Sequence, residues 1–314
     1  MSNIDEQVAS IWNIVDLIRG TFMRGNYQDV IFPLTMLYRI NYMLQTTKEN
    51  VLNVNTKLKG ELENLAPQLR KASGYAFYNT SPYDLVRLLE DPLHLVANLR
   101  AYINGFSDDI REILENFDFN NTITKLDEAG HLFLVMEKFK TIDLNPDKVS
   151  NLKMWYIFGE LMSKMHLSNC SLKMPNWLIN FIMEYLKGRH VKSILDPWAD
   201  SLLLLSLAEA TQPETALGFI QNMQEFGVVS LLNPYNNITW RLGEPLYQQD
   251  GLTEGFDLIV SCLPIGLQPT SVSFDTAKGS VVIKDNRAAV LLLQSCTNLQ
   301  PDGLALDLLP NKKS

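Results

Sequence analysis

The sequence predicts an α/β protein: an all-helical N-terminal half followed by a doubly wound parallel sheet. Three observations predict it. Before residue 190 the apolar residues recur at steps of three and four, with no β-alternation of any length. After residue 190, short apolar runs alternate with helical stretches, the pattern of parallel strands joined by crossover helices. One of those runs, Phe256 to Cys262 (FDLIVSC), has the continuous apolar character of a buried strand. The halves meet near residues 145–175, so we take 1–150 as the helical domain and 151–314 as the α/β domain.

The first element is the clearest. Ile4, Val8, Ile11, Val15, Ile18 and Phe22 form one apolar stripe, with Asn3 as N-cap and Glu6 three residues later. A second apolar segment runs from Tyr27 to Leu44, where Pro33 predicts a kink or a late start. Gln45 to Lys71 is polar and reads as a long loop or a weak helix. Ser81-Pro82 reads as an N-cap followed by Pro at the first helical position. Ser107-Asp108-Asp109 opens a helix through Ile110, Ile113, Leu114 and Phe117, and Asn145-Pro146-Asp147 opens the segment reaching Met165.

In the second half, Val191 to Leu195 is a short strand ending at Asp196-Pro197, followed by a helical stretch from Ser201 to Ala210. Ala216 to Ile220 is the next strand and Phe256 to Cys262 the strongest. Arg287 to Leu299 reads as a helix and Leu304 to Leu309 as a last strand.

Composition narrows the function. The chain has 314 residues, 46% hydrophobic and 20% charged, a globular mixture able to bury a substantial core. Cys170, Cys262 and Cys296 form neither a disulfide framework nor a C-x-x-C pair, which predicts a reducing cytoplasmic setting and no structural metal. His94, His131, His166 and His190 show no metal spacing. There is no apolar run of membrane-spanning length and no signal peptide. The net charge of −8 opposes free-standing nucleic-acid binding. From Ser193 to Ala277 a single basic residue, Arg241, faces ten acidic ones.

Two strand ends carry motifs. Asp196-Pro197-Trp198-Ala199-Asp200 resembles the D-P-x-x-G-x-G cofactor loop of S-adenosylmethionine-dependent N6-adenine DNA methyltransferases. Phe256-Asp257 through Leu263-Pro264 resembles their F-D-x-x-x-x-N-P-P-F/Y catalytic segment. The run from Ile11 to Gly20, continuing through Tyr27 to Tyr38, is similar to the helical start of the modification subunit of type I restriction-modification systems. Lys173-Met174-Pro175 stands where that family has Thr-Pro, and Gln300-Pro301-Asp302-Gly303 resembles its approach to the fifth strand. The resemblance implies a Rossmann-like methyltransferase domain, apparently truncated after the fifth strand. It implies S-adenosylmethionine as cofactor, and DNA as partner through an assembly with a specificity subunit. By position it makes Pro175, Asp196, Pro197, Trp198, Ala199, Asp200 and Gln221 cofactor-binding, and Cys262, Leu263, Pro264 and Ile265 catalytic.

The residues at those positions depart from the family pattern. Ala199, Asp200, Ser201 and Leu202 replace a glycine-rich loop, and a Cβ where the backbone needs positive φ costs about 1–2 kcal/mol. Gln221 stands where an acid grips the ribose, and an amide carries no charge. Cys262 replaces the Asn acceptor, Leu263 the first Pro and Ile265 the ring that stacks on a flipped base; a thiol accepts hydrogen bonds poorly. Asp196 reads equally as a helix cap, and Cys262 as a buried inert thiol. Trp12, Trp155, Trp177 and Trp240 read as core or interface, whereas Trp198 sits in the cofactor loop. Three functions are compatible: an adenine-N6 methyltransferase subunit with weak or absent catalysis, a non-catalytic scaffold keeping the fold, and a methyltransferase for another planar nitrogen such as a glutamine side chain.

Overall fold

The apolar stripe at the N-terminus becomes helices Asn3–Trp12 and Val15–Ile18. They belong to a computed structural model that describes residues 3–62, 64–165, 176–199, 201–221, 223–233, 237–243, 255–262, 272–276, 279–283, 289 and 297–308. The chain divides into two units, Met1–His166 and Leu167–Ser314.

The first unit is helical and is organised round helix Gln28–Leu44, thirteen of whose seventeen residues are buried. Pro33 neither delays this helix nor ends it, contrary to one expectation, because the helix begins ahead of it at Gln28. An internal proline forfeits a backbone hydrogen bond, and here burial on nearly every side compensates. Burial also constrains the polar side chains. The Tyr38 hydroxyl donates to the Met136 carbonyl. Arg39 is 1% exposed. Its Nη1 donates to the carbonyls of Leu144 and Val149, at 2.8 and 2.7 Å, and its Nη2 to Asn151 Oδ1 at 2.7 Å. Burial lowers its pKa from 12.5 to about 10, which still leaves a cation at neutral pH. One side chain thus holds the 144–151 segment against the central helix.

The polar stretch after Leu44 folds as two short helices, Lys48–Leu58 and Ala66–Ser73. Only Val51 of the first is buried, against Leu69 and Ala72 of the second, so no stripe was legible. Two helix starts differ from expectation. Asp84, not Ser81, caps helix Leu85–Glu90, accepting from the backbone N–H of Val86 and Arg87 at 2.9 Å. Ser81 Oγ instead accepts from the Tyr83 N–H. Asn145 caps a turn by accepting from the Asp147 N–H, and the helix follows only at Asn151–Lys164. Lys48, beside Asp84, donates to the Tyr83 carbonyl and lies 5.4 Å from the Tyr102 ring centroid.

The second unit carries five parallel strands in the order β3-β2-β1-β4-β7. They are β1 (Ser193–Asp196), β2 (Thr215–Ile220), β3 (Ile238–Leu242), β4 (Phe256–Cys262) and β7 (Leu299–Leu308). A separate antiparallel pair joins β5 (Val272–Thr276) and β6 (Gly279–Ile283), which the sequence did not announce. Strand order runs outward from β1 on one side and resumes with β4 on the other, so the sheet is doubly wound as predicted, with its switch point between β1 and β4. Helix Ser201–Thr211 is apolar almost throughout and follows β1. Gly218 shows how tightly this region packs: a Cβ there would lie 2.6 Å from the Trp240 ring and 2.8 Å from Leu204. Leu195, Leu217, Phe219 and Ile259 form the core of one sheet face. Leu299 belongs to β7 rather than to the end of a helix, and Pro301 and Gly303 lie inside that strand where its register against β4 shifts. Most of the helix expected at Arg287–Leu299 lies outside the described residues.

Replacing Arg39 by Met would leave two carbonyls and an amide oxygen without donors, each worth about 1–3 kcal/mol. We expect a loss of about 3 kcal/mol in urea unfolding, partly recovered by Arg39→Lys. Lys48 gives a pH test. Burial lowers its pKa from 10.5 to about 8. Between these values the unfolded chain holds more protons, so stability contributed at this site rises with pH. Lys48→Met should flatten that rise between pH 8 and 10, measured as the difference in unfolding midpoint from the native chain.

Candidate functional site

Ligands of open parallel sheets bind at the carboxyl ends of the strands, beside the switch point. Here that edge is formed by the ends of β1, β2 and β4. Asp196 ends β1, is fully buried, and accepts from the Trp198 N–H at 3.2 Å. This is a local turn of the kind that caps a helix entry. Trp198 and Ala199 are themselves buried. The Ala199 N–H donates to the Phe219 carbonyl at 2.9 Å, which ties the loop after β1 across to β2. Beyond it, Ser201 starts the next helix and donates to the Glu225 carboxylate.

Gln221 follows β2, and its Nε2 donates back to the same Phe219 carbonyl at 3.1 Å. Its Oε1 is buried and has no partner among the described residues. One polar acceptor therefore faces this edge with its capacity unused. Glu225 brings a carboxylate to the same edge, and sequence reasoning missed it. Glu225 lies past the strand end, in the first turn of helix Met223–Leu232. An acid in a first turn also suits the helix dipole, so its position alone carries no functional signal.

The Phe256-Asp257 pair does structural work at the opposite end of the strands. Asp257 Oδ2 accepts from the N–H of Lys192 and of Ser193, at 2.9 and 3.0 Å, and from Ser193 Oγ. Near the carboxyl end of β4, Ser261 Oγ donates to Asp307 Oδ1 of β7 at 2.6 Å. Burial raises the pKa of Asp307, opposed by that hydrogen bond. Neither Ser261 nor Asp307 stood out in the sequence, because they are 46 residues apart and meet only through strand pairing.

The fold thus brings Asp196, Pro197, Trp198, Ala199 and Gln221 to one edge, with Cys262 as the last residue of the adjacent strand β4. The Cys262 side chain lies outside the described residues, as do Leu263, Pro264, Ile265, Pro175 and Asp200. The residues present do not fit S-adenosylmethionine well. Among the described residues of the loop, the N–H groups of Trp198 and Ala199, which a glycine-rich cradle would turn toward a ligand, are engaged by Asp196 and Phe219, and both side chains are buried. Among the described residues no group of His, Cys, Asp and Glu could hold a metal, and no helix is long and apolar enough to cross a membrane.

Comparison with known proteins agrees with the helical half. No curated protein matches the chain. Among solved structures, a candidate class I S-adenosylmethionine-dependent methyltransferase from Listeria monocytogenes is similar at 13% identity, with a TM-score of 0.45 and 72% of each chain covered. Residues 8–139 match the family model described as the HsdM N-terminal domain. Over those residues the chain is similar to the HsdM N-terminal domain.

Proposed function

We propose that the protein is a modification-type subunit of a type I restriction-modification assembly, one that keeps the methyltransferase fold with adenine-N6 methyl transfer weak or absent. The observation that carries this reading is the hydrogen bond from the Ala199 N–H to the Phe219 carbonyl, with Trp198 buried beside it. A loop that satisfies its own backbone and fills itself with side chains has little left to offer a nucleoside ligand. The residue types at the end of β4 point the same way. An Asn carboxamide accepts from an adenine amino group, and the Cys262 thiol does so poorly. Ile265 offers no ring to a flipped base. In this reading the chain meets DNA through a specificity subunit, and its own contribution is to hold that assembly in a cytoplasmic setting.

Three measurements test it. Calorimetric titration with S-adenosylmethionine should show no binding tighter than about 0.1 mM. Trp198→Ala combined with Ala199→Gly should improve it. Low-micromolar binding by the native chain would overturn our account of the loop. In a tritiated-methyl assay with a specificity subunit and cofactor, the native chain should transfer nothing to adenine above background. Cys262→Asn, Leu263→Pro and Ile265→Phe act on one base, so only the triple change should gain activity. Robust transfer by the native chain would end the scaffold reading. Finally, the chain alone should bind DNA weakly and without sequence preference at physiological salt, given its net charge of −8. Sequence-discriminating binding below about micromolar would contradict that.

A further inference from the structure

Helix Asn176–Leu186 is apolar on two opposite faces. Ile179, Ile182 and Leu186 are buried, and the helix packs against helix Ser201–Thr211. On the other side, Trp177, Phe181 and Tyr185 are 69%, 62% and 46% exposed. Residues four apart stack on one face of a helix, so these rings make one stripe about 12 Å long. Scattered exposed apolar residues are ordinary, but a contiguous aromatic stripe marks an interaction surface.

The charge around the stripe is one-sided. Lys187, Arg189 and Lys192 follow it directly and are all exposed. Elsewhere among the described residues of this unit the one Lys or Arg is Arg241. The Arg189 guanidinium lies 5.0 Å from the Tyr185 ring centroid, and Lys187 pairs with Glu184, the one acid of the helix. The stripe therefore runs into a basic end.

We propose that this face docks an acidic amphipathic helix of a partner protein, with apolar side chains on the rings and carboxylates on Lys187, Arg189 and Lys192. Charge complementarity selects this occupant. A second copy of the same helix would bring Glu184 as its one counter-charge, already engaged by Lys187, and parallel pairing would set basic end against basic end. A nucleic acid would find one face of Tyr185 covered by Arg189, an acid beside the stripe, and a chain of net charge −8 opposing its phosphates. A helix partner needs apolar anchors at i, i+4 and i+8 and a few carboxylates, which matches what is exposed. The inference does not depend on whether the neighbouring sheet edge transfers a methyl group.

The test uses the full chain and a labelled synthetic helix of about 18 residues, with Leu at every fourth position along one face and Glu beside them. Anisotropy should show saturable binding. Trp177→Ser with Phe181→Ser should weaken it about tenfold or more. Lys187→Glu with Arg189→Glu should weaken it similarly and shift preference to a peptide with Lys in place of Glu. All four positions are exposed, and an unchanged urea midpoint confirms that each variant folds. Absence of saturable binding at millimolar peptide would overturn the proposal, as would a charge-reversed variant that ignores peptide charge. Displacement of the peptide by a thymidine oligonucleotide would assign the face to nucleic acid instead. A sedimentation dimer lost in the Trp177→Ser, Phe181→Ser variant would assign it to a second copy.

Discussion

The candidate site depends on a single carboxylate at the far end of the sheet. Asp257 takes two backbone N–H groups and a hydroxyl from Lys192 and Ser193, and its own N–H donates to Ser193 Oγ. That reciprocal clamp fixes where β1 starts against β4. Once the start is fixed, strand geometry determines the rest: Ile194 lies opposite Leu258 and Leu195 opposite Ile259. Asp196 and Cys262 then end adjacent strands on the same edge, at the switch point where a doubly wound sheet opens. A slip of one residue would exchange the faces of every side chain on β1, moving Leu195 out of the core it shares with Leu217, Phe219 and Ile259.

Register explains why the edge forms, while local hydrogen bonding accounts for the described groups engaged along it. The Phe219 carbonyl accepts from both the Ala199 N–H and the Gln221 side chain. The buried Asp196 accepts from the Trp198 N–H. Each of these groups could in principle contact a ligand, and each is engaged within the chain. Among the described residues, the Gln221 Oε1 has no partner, and the Glu225 carboxylate is held by Ser201. The described part of the edge has the topology of a switch point, and its polar groups are largely engaged within the chain.

What could be read from the sequence follows from how each signal is encoded. The stripe from Val8 to Phe22 and the FDLIVSC strand are legible because burial is continuous and repeats at one period. Helix Lys48–Leu58 buries one residue, so it leaves no periodic trace. Pro33 is a helix breaker by local rules, and burial over the whole of Gln28–Leu44 overrides it. Ser81 and Asp84 are both acceptable caps, and only the path of the chain decides between them. At the site, Asp196 and Gln221 were visible because they follow strands. The pairs Ser201–Glu225 and Ser261–Asp307 were not, because sheet assembly joins residues that are remote in sequence. Of the aromatic stripe on helix Asn176–Leu186 the sequence marks Trp177 alone, as core or interface, and the i, i+4, i+8 spacing with Phe181 and Tyr185 acquires meaning only once the opposite face is seen to be the buried one.

The two units also differ in what holds their polar groups. In the helical unit a buried cation is held by neutral acceptors: the terminal nitrogens of Arg39 donate to two carbonyls and an amide oxygen, with no carboxylate among them. Burial lowers its pKa to about 10, so the charge persists at neutral pH and the bonds to the 144–151 segment do not titrate there. In the sheet unit the carboxylates of Asp257, Asp196 and Asp307 accept from backbone N–H groups and hydroxyls. Acids held this way tie strand ends together through neutral donors.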